Sequence, residues 1–96
     1  MSQIAVISIN TAKPGQEQKM EAAMRALIAP SQADPGYLQY DLHRDLDDPR
    51  TFVFYERWES RELLHQHFKA PHVVAWIAQA GDLVESSTLR ILESLG

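Results

Sequence analysis

Apolar and polar positions along the chain fall into segments with two different periods. Ile4-Ala5-Val6-Ile7-Ser8-Ile9 is a short apolar run rich in β-branched residues and ended by Asn10 and Thr11, which predicts a strand buried on both faces. Lys13-Pro14-Gly15 breaks the run, and Pro14 suits the first turn of a helix. From Gln16 onward Met20, Met24, Leu27 and Ile28 recur at helical spacing. Pro30 is expected to kink or end this helix, and Asp34-Pro35-Gly36 to stop it. A period of two then takes over in 37–44, where Leu38, Tyr40 and Leu42 point one way and Gln39, Asp41 and His43 the other. A turn of Asp and Pro residues over 45–50 leads into an aromatic and β-branched strand over 51–58, so the pair reads as a hairpin. In the second strand Phe52, Phe54, Glu56 and Trp58 share one face, and Val53, Tyr55 and Arg57 the other.

Ser60 is a good N-cap, with Glu62 in the first turn, for a helix carrying Leu63, Leu64, His67 and Phe68. Pro71 interrupts it. A further helix is expected over 72–80, with Val73, Trp76, Ile77 and Ala80 at i, i+3, i+4 and i+7, and Gly81 as its C-cap. Residues 88–92 read as a closing strand. The order β-α-β-β-α-α-β reduces to the split βαβ, ferredoxin-like plan when the broken second helix is counted once: an α+β fold with helices over one face of a four-stranded antiparallel sheet. Strands one, three and four carry apolar residues on both faces. An open second face would expose several hundred Å2 of apolar surface, so a homodimer is expected, with a second copy covering it.

Composition narrows the function. The 96 residues allow a single domain, 1–96. Nine basic against thirteen acidic residues give a net charge of −4, which disfavours a duty built on phosphate neutralisation. The absence of cysteine excludes disulfide scaffolds, thiolate metal sites and cysteine nucleophiles. No apolar run approaches the ~20 residues of a membrane span, and Met1-Ser2-Gln3-Ile4 lacks the start of a signal peptide, so a cytoplasmic protein without membrane contact is expected. No phosphate loop, nucleotide fingerprint or zinc pattern is present, and no cofactor is expected. Phe52-Val53-Phe54-Tyr55 faintly matches the aromatic third strand of RNA-recognition domains. It lacks their glycines and basic start, so no nucleic-acid partner is expected.

The candidate chemistry rests on few residues. His65 and His67 form an H-x-H pair, but on a helix i and i+2 point roughly 200° apart, and no metal site is expected there. His67 shares the apolar face with Leu63 and Leu64, whereas His65 is solvated. His67 is therefore either a residue at the edge of the core or a base in a cavity between helices and sheet. His72 faces the same cavity or lies in a helix's first turn. Trp58 and Tyr40 bring buried aromatic bodies with polar tips. Asn10 and Ser8 offer hydrogen bonds at the end of strand one. Glu56, between Phe54 and Trp58, is either paired with a basic residue such as Arg90 or placed at the mouth of a polar pocket.

Five pieces in order, Lys13-Pro14-Gly15, 34–40 (DPGYLQY), Trp58-Glu59-Ser60, His67 and Ala70-Pro71-His72, resemble the antibiotic biosynthesis monooxygenase domain family over Ile4 to Leu92. Residues 81–83 and 89–92 are similar to its small quinol monooxygenases. The resemblance implies a ferredoxin-like protomer, a dimeric α+β barrel, and oxygenation by O2 of a small aromatic, a hydroquinone or polyphenol, without metal or flavin. In that chemistry His67 or His72 takes a proton, while Trp58, Tyr40 or Asn10 act as donors and Glu56 lies against the substrate. A related branch degrades haem with an Asn, Trp and His set. Alignment puts Ser8, His67 and Ile77 at those positions, so haem degradation is not implied. The alternative function is a non-catalytic, dimeric ligand-binding or stress-related module, since fold alone does not fix chemistry.

Overall fold

The computed structural model describes residues 3–96; Met1 and Ser2, which begin the segment read above for a signal peptide, lie outside them. The elements are β1 (Ile4–Ala12), α1 (Glu17–Arg25), α2 (Ile28–Gln32), β2 (Tyr37–Arg44), β3 (Thr51–Trp58), α3 (Arg61–Phe68), α4 (Pro71–Leu83) and β4 (Val84–Glu93). The sheet runs β2-β3-β1-β4, with every neighbouring pair antiparallel. Two split βαβ units therefore interlock, each leaving room for one strand of the other, and the fold is the expected ferredoxin-like α+β plan.

Alternation in β3 decides which face the helices cover. Phe52, Phe54, Glu56 and Trp58 are buried, while Val53, Tyr55 and Arg57 are only half-buried. Met20 and Met24 of α1, Leu64 of α3 and Val6 of β1 are fully buried above that face. Ser60 caps α3 as read, its hydroxyl accepting the Leu63 N–H at 3.2 Å. The opposite face has no helix. Ile9 is 41 % and Leu92 39 % exposed on it. Among the described residues no helix is long and apolar enough to cross a membrane.

Several boundaries differ from the sequence reading, each for a local reason. Pro30 neither kinks nor ends a helix: the break falls earlier, at Ala26–Leu27, so Pro30 occupies the first turn of α2, where its missing N–H has no intrahelical partner to lose. Gly81 is not a C-cap but an interior residue of α4, which runs on to Leu83. Lys13 makes a left-handed cap unnecessary, its Nζ donating to the Gly81 carbonyl and its backbone N–H to the Leu83 carbonyl, both at 2.8 Å. The two outer strands of the chain are longer than read. β1 runs through Asn10 and Thr11 to Ala12, and β4 begins at Val84. The polar stretch 85–87 shows no strand period, yet it pairs along the end of β1. Finally, the β2–β3 register slips between Tyr37 and Gln39, leaving Leu38 as the extra residue. The slip inverts the alternation at the start of β2, so Tyr37, not Leu38, joins Leu42 against the core.

Candidate active site

The helix-covered face of the sheet holds a half-open cavity of about 450 Å3, of the size that takes a small organic ligand. Its walls are apolar, with Met24 and Leu27 from the first helical layer, Phe54 from the sheet, and Trp76 from α4. Ile77, expected to pack in the core, is 61 % exposed and forms part of the rim with Leu89. Polar atoms enter this cavity at two places.

The first is the ends of β1 and β4. Asn10 donates from Nδ2 to Ser8 Oγ at 2.9 Å and accepts from Ser87 Oγ at 2.8 Å. Asn10 and Ser8 share a face because they stand two apart on a strand, and Ser87 pairs with Asn10 across the sheet. A serine hydroxyl carries one proton and an amide nitrogen two, so the Ser8 O–H and the second Asn10 N–H remain for a bound oxygen.

The second is an acid–base pair. Glu56 is 4 % exposed and accepts the indole N–H of Trp58 at 2.9 Å. On the same face its cross-strand neighbours are Val6 and Tyr40. Arg90 pairs with Ile7, which points away, so the reading of Glu56 as Arg90's partner is corrected in favour of the polar pocket. Burial raises the Glu56 carboxyl to about 7, against the smaller opposing effect of the Trp58 N–H. His67 lies 4.0 Å away through Nε2, and its ring is tilted on Trp58 with centroids 4.4 Å apart. Burial lowers the His67 pKa, with Asp34 opposing, so the imidazole is neutral near pH 7. Burial, followed by the Glu56 charge, raises Tyr40 and keeps it a phenol.

His67, Tyr40, Asn10 and Glu56 all line the cavity. Trp58 and His72 stand one residue behind it. Trp58 is fully buried, and its N–H is committed to Glu56. His72 Nε2 reaches Asp34 Oδ2 at 3.0 Å, and the same oxygen meets His67 Nδ1 at 2.7 Å. Sequence reasoning used Asp34 as a helix stop and within a family-like piece, and gave it no role in the site. Its place beside His67 and His72 among the pieces that resemble one family was the available signal. His65 is exposed, as its helical phase requires.

Asp34, His67 and His72 are also the one group among the described residues with the composition of a cation site. Separations of 2.7 and 3.0 Å are hydrogen-bond lengths. In this geometry the three side chains form a hydrogen-bonded triad through Asp34 Oδ2.

Fold and site together define a class: a ferredoxin-like α+β domain whose covered sheet face holds a small apolar chamber with an acid–base pair in its wall. The antibiotic biosynthesis monooxygenase family matches over residues 2–79, and the chain belongs to that family. It is 34 % identical over 83 residues to the protein named "Putative monooxygenase Rv0793" of Mycobacterium tuberculosis, covering 86 % of this chain and 81 % of that one. A Bacillus subtilis protein, "Putative monooxygenase YcnE", is 26 % identical over 74 residues, covering 77 % and 78 %. Among solved structures, that of PA3566 from Pseudomonas aeruginosa superposes with a TM-score of 0.96 at 32 % identity, covering 100 % of this chain and 97 % of that one.

Proposed function

We propose that the protein is a homodimeric, cofactor-independent monooxygenase that oxidises a small electron-rich aromatic, a hydroquinone or polyphenol, with O2. The observation that carries this reading is the Glu56–His67 pair in the wall of an apolar chamber. Triplet O2 reacts slowly with closed-shell molecules, and removing a phenolic proton makes the ring a far better electron donor. A neutral imidazole beside a carboxyl near pKa 7 is poised to take that proton near neutrality. The phenolate passes one electron to O2, and the resulting radical pair joins at a ring carbon as a peroxide. Loss of water then leaves one oxygen atom on the ring. For a hydroquinone the balance is one substrate and one O2 giving one hydroxyquinone and one water, so the substrate is the reductant. Ser8 and Asn10 supply donors for the negative charge that develops. The uncovered sheet face, apolar at Ile9 and Leu92, supports the homodimer.

Oxygen uptake by chelator-treated protein across a panel of hydroquinones and polyphenols tests the reading. Uptake above the uncatalysed rate, lost in His67→Ala, is expected. If every substrate stays at the uncatalysed rate while one of them binds, the protein is a ligand-binding module.

A further inference from the structure

The polar chain behind His67 has a direction. Asp34 Oδ2 contacts His67 Nδ1 at 2.7 Å and His72 Nε2 at 3.0 Å. Side-chain exposure rises from 3 % at His67 to 14 % at Asp34 and 17 % at His72. A carboxylate oxygen only accepts, so both ring nitrogens that meet it carry hydrogen. His67 is thereby held with Nδ1 protonated and its lone pair on Nε2. That second nitrogen is the one 4.0 Å from Glu56, the carboxyl in the cavity wall. A single bond to Asp34 thus decides which nitrogen is basic toward the cavity.

We infer that Asp34 is the positioning residue of this site and that His72 is its anchor. Asp34 fixes the His67 tautomer and ring orientation, and its negative charge balances the imidazolium formed when Nε2 takes a proton from a bound hydroxyl. No proton passes to Asp34 in this step: the substrate O–H bond breaks, the Nε2–H bond forms, and the Nδ1–H bond persists. His72, donating to the same oxygen from the first turn of α4, holds the carboxylate in place. The titratable groups facing His67 are Asp34 and His72 on the Nδ1 side, Glu56 on the Nε2 side, and Tyr40 with its ring centroid at 5.4 Å; Trp58 and Phe68 complete the contacts. The tautomer is a property of the resting protein. Its effect on turnover rests on the monooxygenase reading above.

Long-range 1H–15N correlation spectra of the histidine rings separate the two. At pH 7.5 the full-length protein should show His67 protonated at Nδ1 and bare at Nε2. Asp34→Ala, which leaves the Nδ1–H without its acceptor, should lose that preference, and His72→Gln, which keeps an N–H for Asp34, should retain it. Where a substrate is turned over, Asp34→Ala should lower kcat by about 10²-fold or more with KM little changed, and His72→Gln should lower it far less. A wild-type His67 protonated at Nε2, or an Asp34→Ala protein that keeps the wild-type tautomer, overturns the assignment. The wild-type spectrum decides even if Asp34→Ala fails to fold. An Nδ1–H tautomer in a protein that consumes no oxygen leaves the assignment standing and removes the monooxygenase reading.

Discussion

Replacing Glu56 by glutamine keeps an oxygen for the Trp58 indole N–H and removes the ionisable group. In the folded protein burial lifts this carboxyl from its ordinary 4.5 to about 7. Between those values the folded chain retains a proton that the unfolded chain has released. Stability therefore falls as pH rises through this window and levels off above the folded pKa. At 1.36 kcal/mol per pKa unit the full displacement is worth roughly 3 kcal/mol, of which about 2.5 kcal/mol falls between pH 5 and pH 8. Urea unfolding of wild type and Glu56→Gln at pH 5, 6, 7 and 8 reads this directly. The difference in unfolding free energy between the two proteins should move by about 2.5 kcal/mol in favour of the variant as pH rises. Other titrating groups, His67 among them, are common to both proteins and largely cancel in that difference. Parallel stability curves over the whole range would mean that Glu56 titrates normally, and the acid–base pair in the cavity wall would lose its basis.

The two histidines of the H-x-H pair should behave differently. His67→Ala empties a position packed against Trp58 and Tyr40 and takes a donor from Asp34, so a loss of about 2–4 kcal/mol together with all oxygen uptake is expected, whereas exposed His65→Ala should stay within about 0.5 kcal/mol; equal, small effects in denaturation and activity assays would show that the helical phase does not matter. Two glycines should also part ways in thermal melts. Gly36 sits at φ +83 with Leu63 carbons 2.6 Å from where a Cβ would stand, so Gly36→Ala should cost about 2 kcal/mol or more, while Gly81→Ala, inside α4 with nothing within 4 Å of its Cβ, should add about 0.5–1 kcal/mol. Light scattering at micromolar concentration should return twice the chain mass of 10.9 kDa, or a multiple of that pair; a stable, well-folded monomer would defeat the proposed assembly.

The period-two alternation of β3 made the layering legible before any coordinates, because Phe52, Phe54 and Trp58 cannot lie under the helices together with Val53 and Tyr55. The helical phase of α3 likewise separated buried His67 from exposed His65. Bulges and caps were not legible. Tyr37 and Leu38 are both apolar, so nothing in the pattern shows that the chain inserts an extra residue there and inverts its phase. Gly81 has the composition of a cap, and only the approach of Lys13, 68 residues earlier in the chain, removes the need for one. The site was half visible. Its cavity-lining members were candidates by residue type, but the contact of Asp34 with His67 spans 33 positions and leaves no periodic trace. Of the two readings of Glu56 the pairing with Arg90 fails because it required the two to share a face, and the β1–β4 register puts Ile91 beside Val6 instead.

The failure of that pairing bears on why Glu56 is there at all. Every other core-facing residue of β3 from Phe52 onward is an aromatic hydrocarbon surface, and the lateral neighbours of Glu56 are Val6 and Tyr40. A carboxylate placed for stability at such a position has a cation within reach, because an unpaired buried charge costs several kcal/mol. Glu56 has an indole N–H and, at 4.0 Å, an imidazole that burial keeps neutral. These hold the group in one orientation without abolishing the penalty, which is why its pKa stays high rather than falling. A leucine or methionine there would remove the buried charge at the cost of stranding the Trp58 N–H, and a glutamine would satisfy that hydrogen bond without the charge. What neither supplies is a proton acceptor that works near neutral pH inside an apolar chamber. The position where the local rules of the sheet are broken is also the one that puts an acid–base group in the cavity wall, and on the proposed monooxygenase reading Glu56→Gln should gain more stability over wild type at pH 8 than at pH 5 while lowering oxygen uptake.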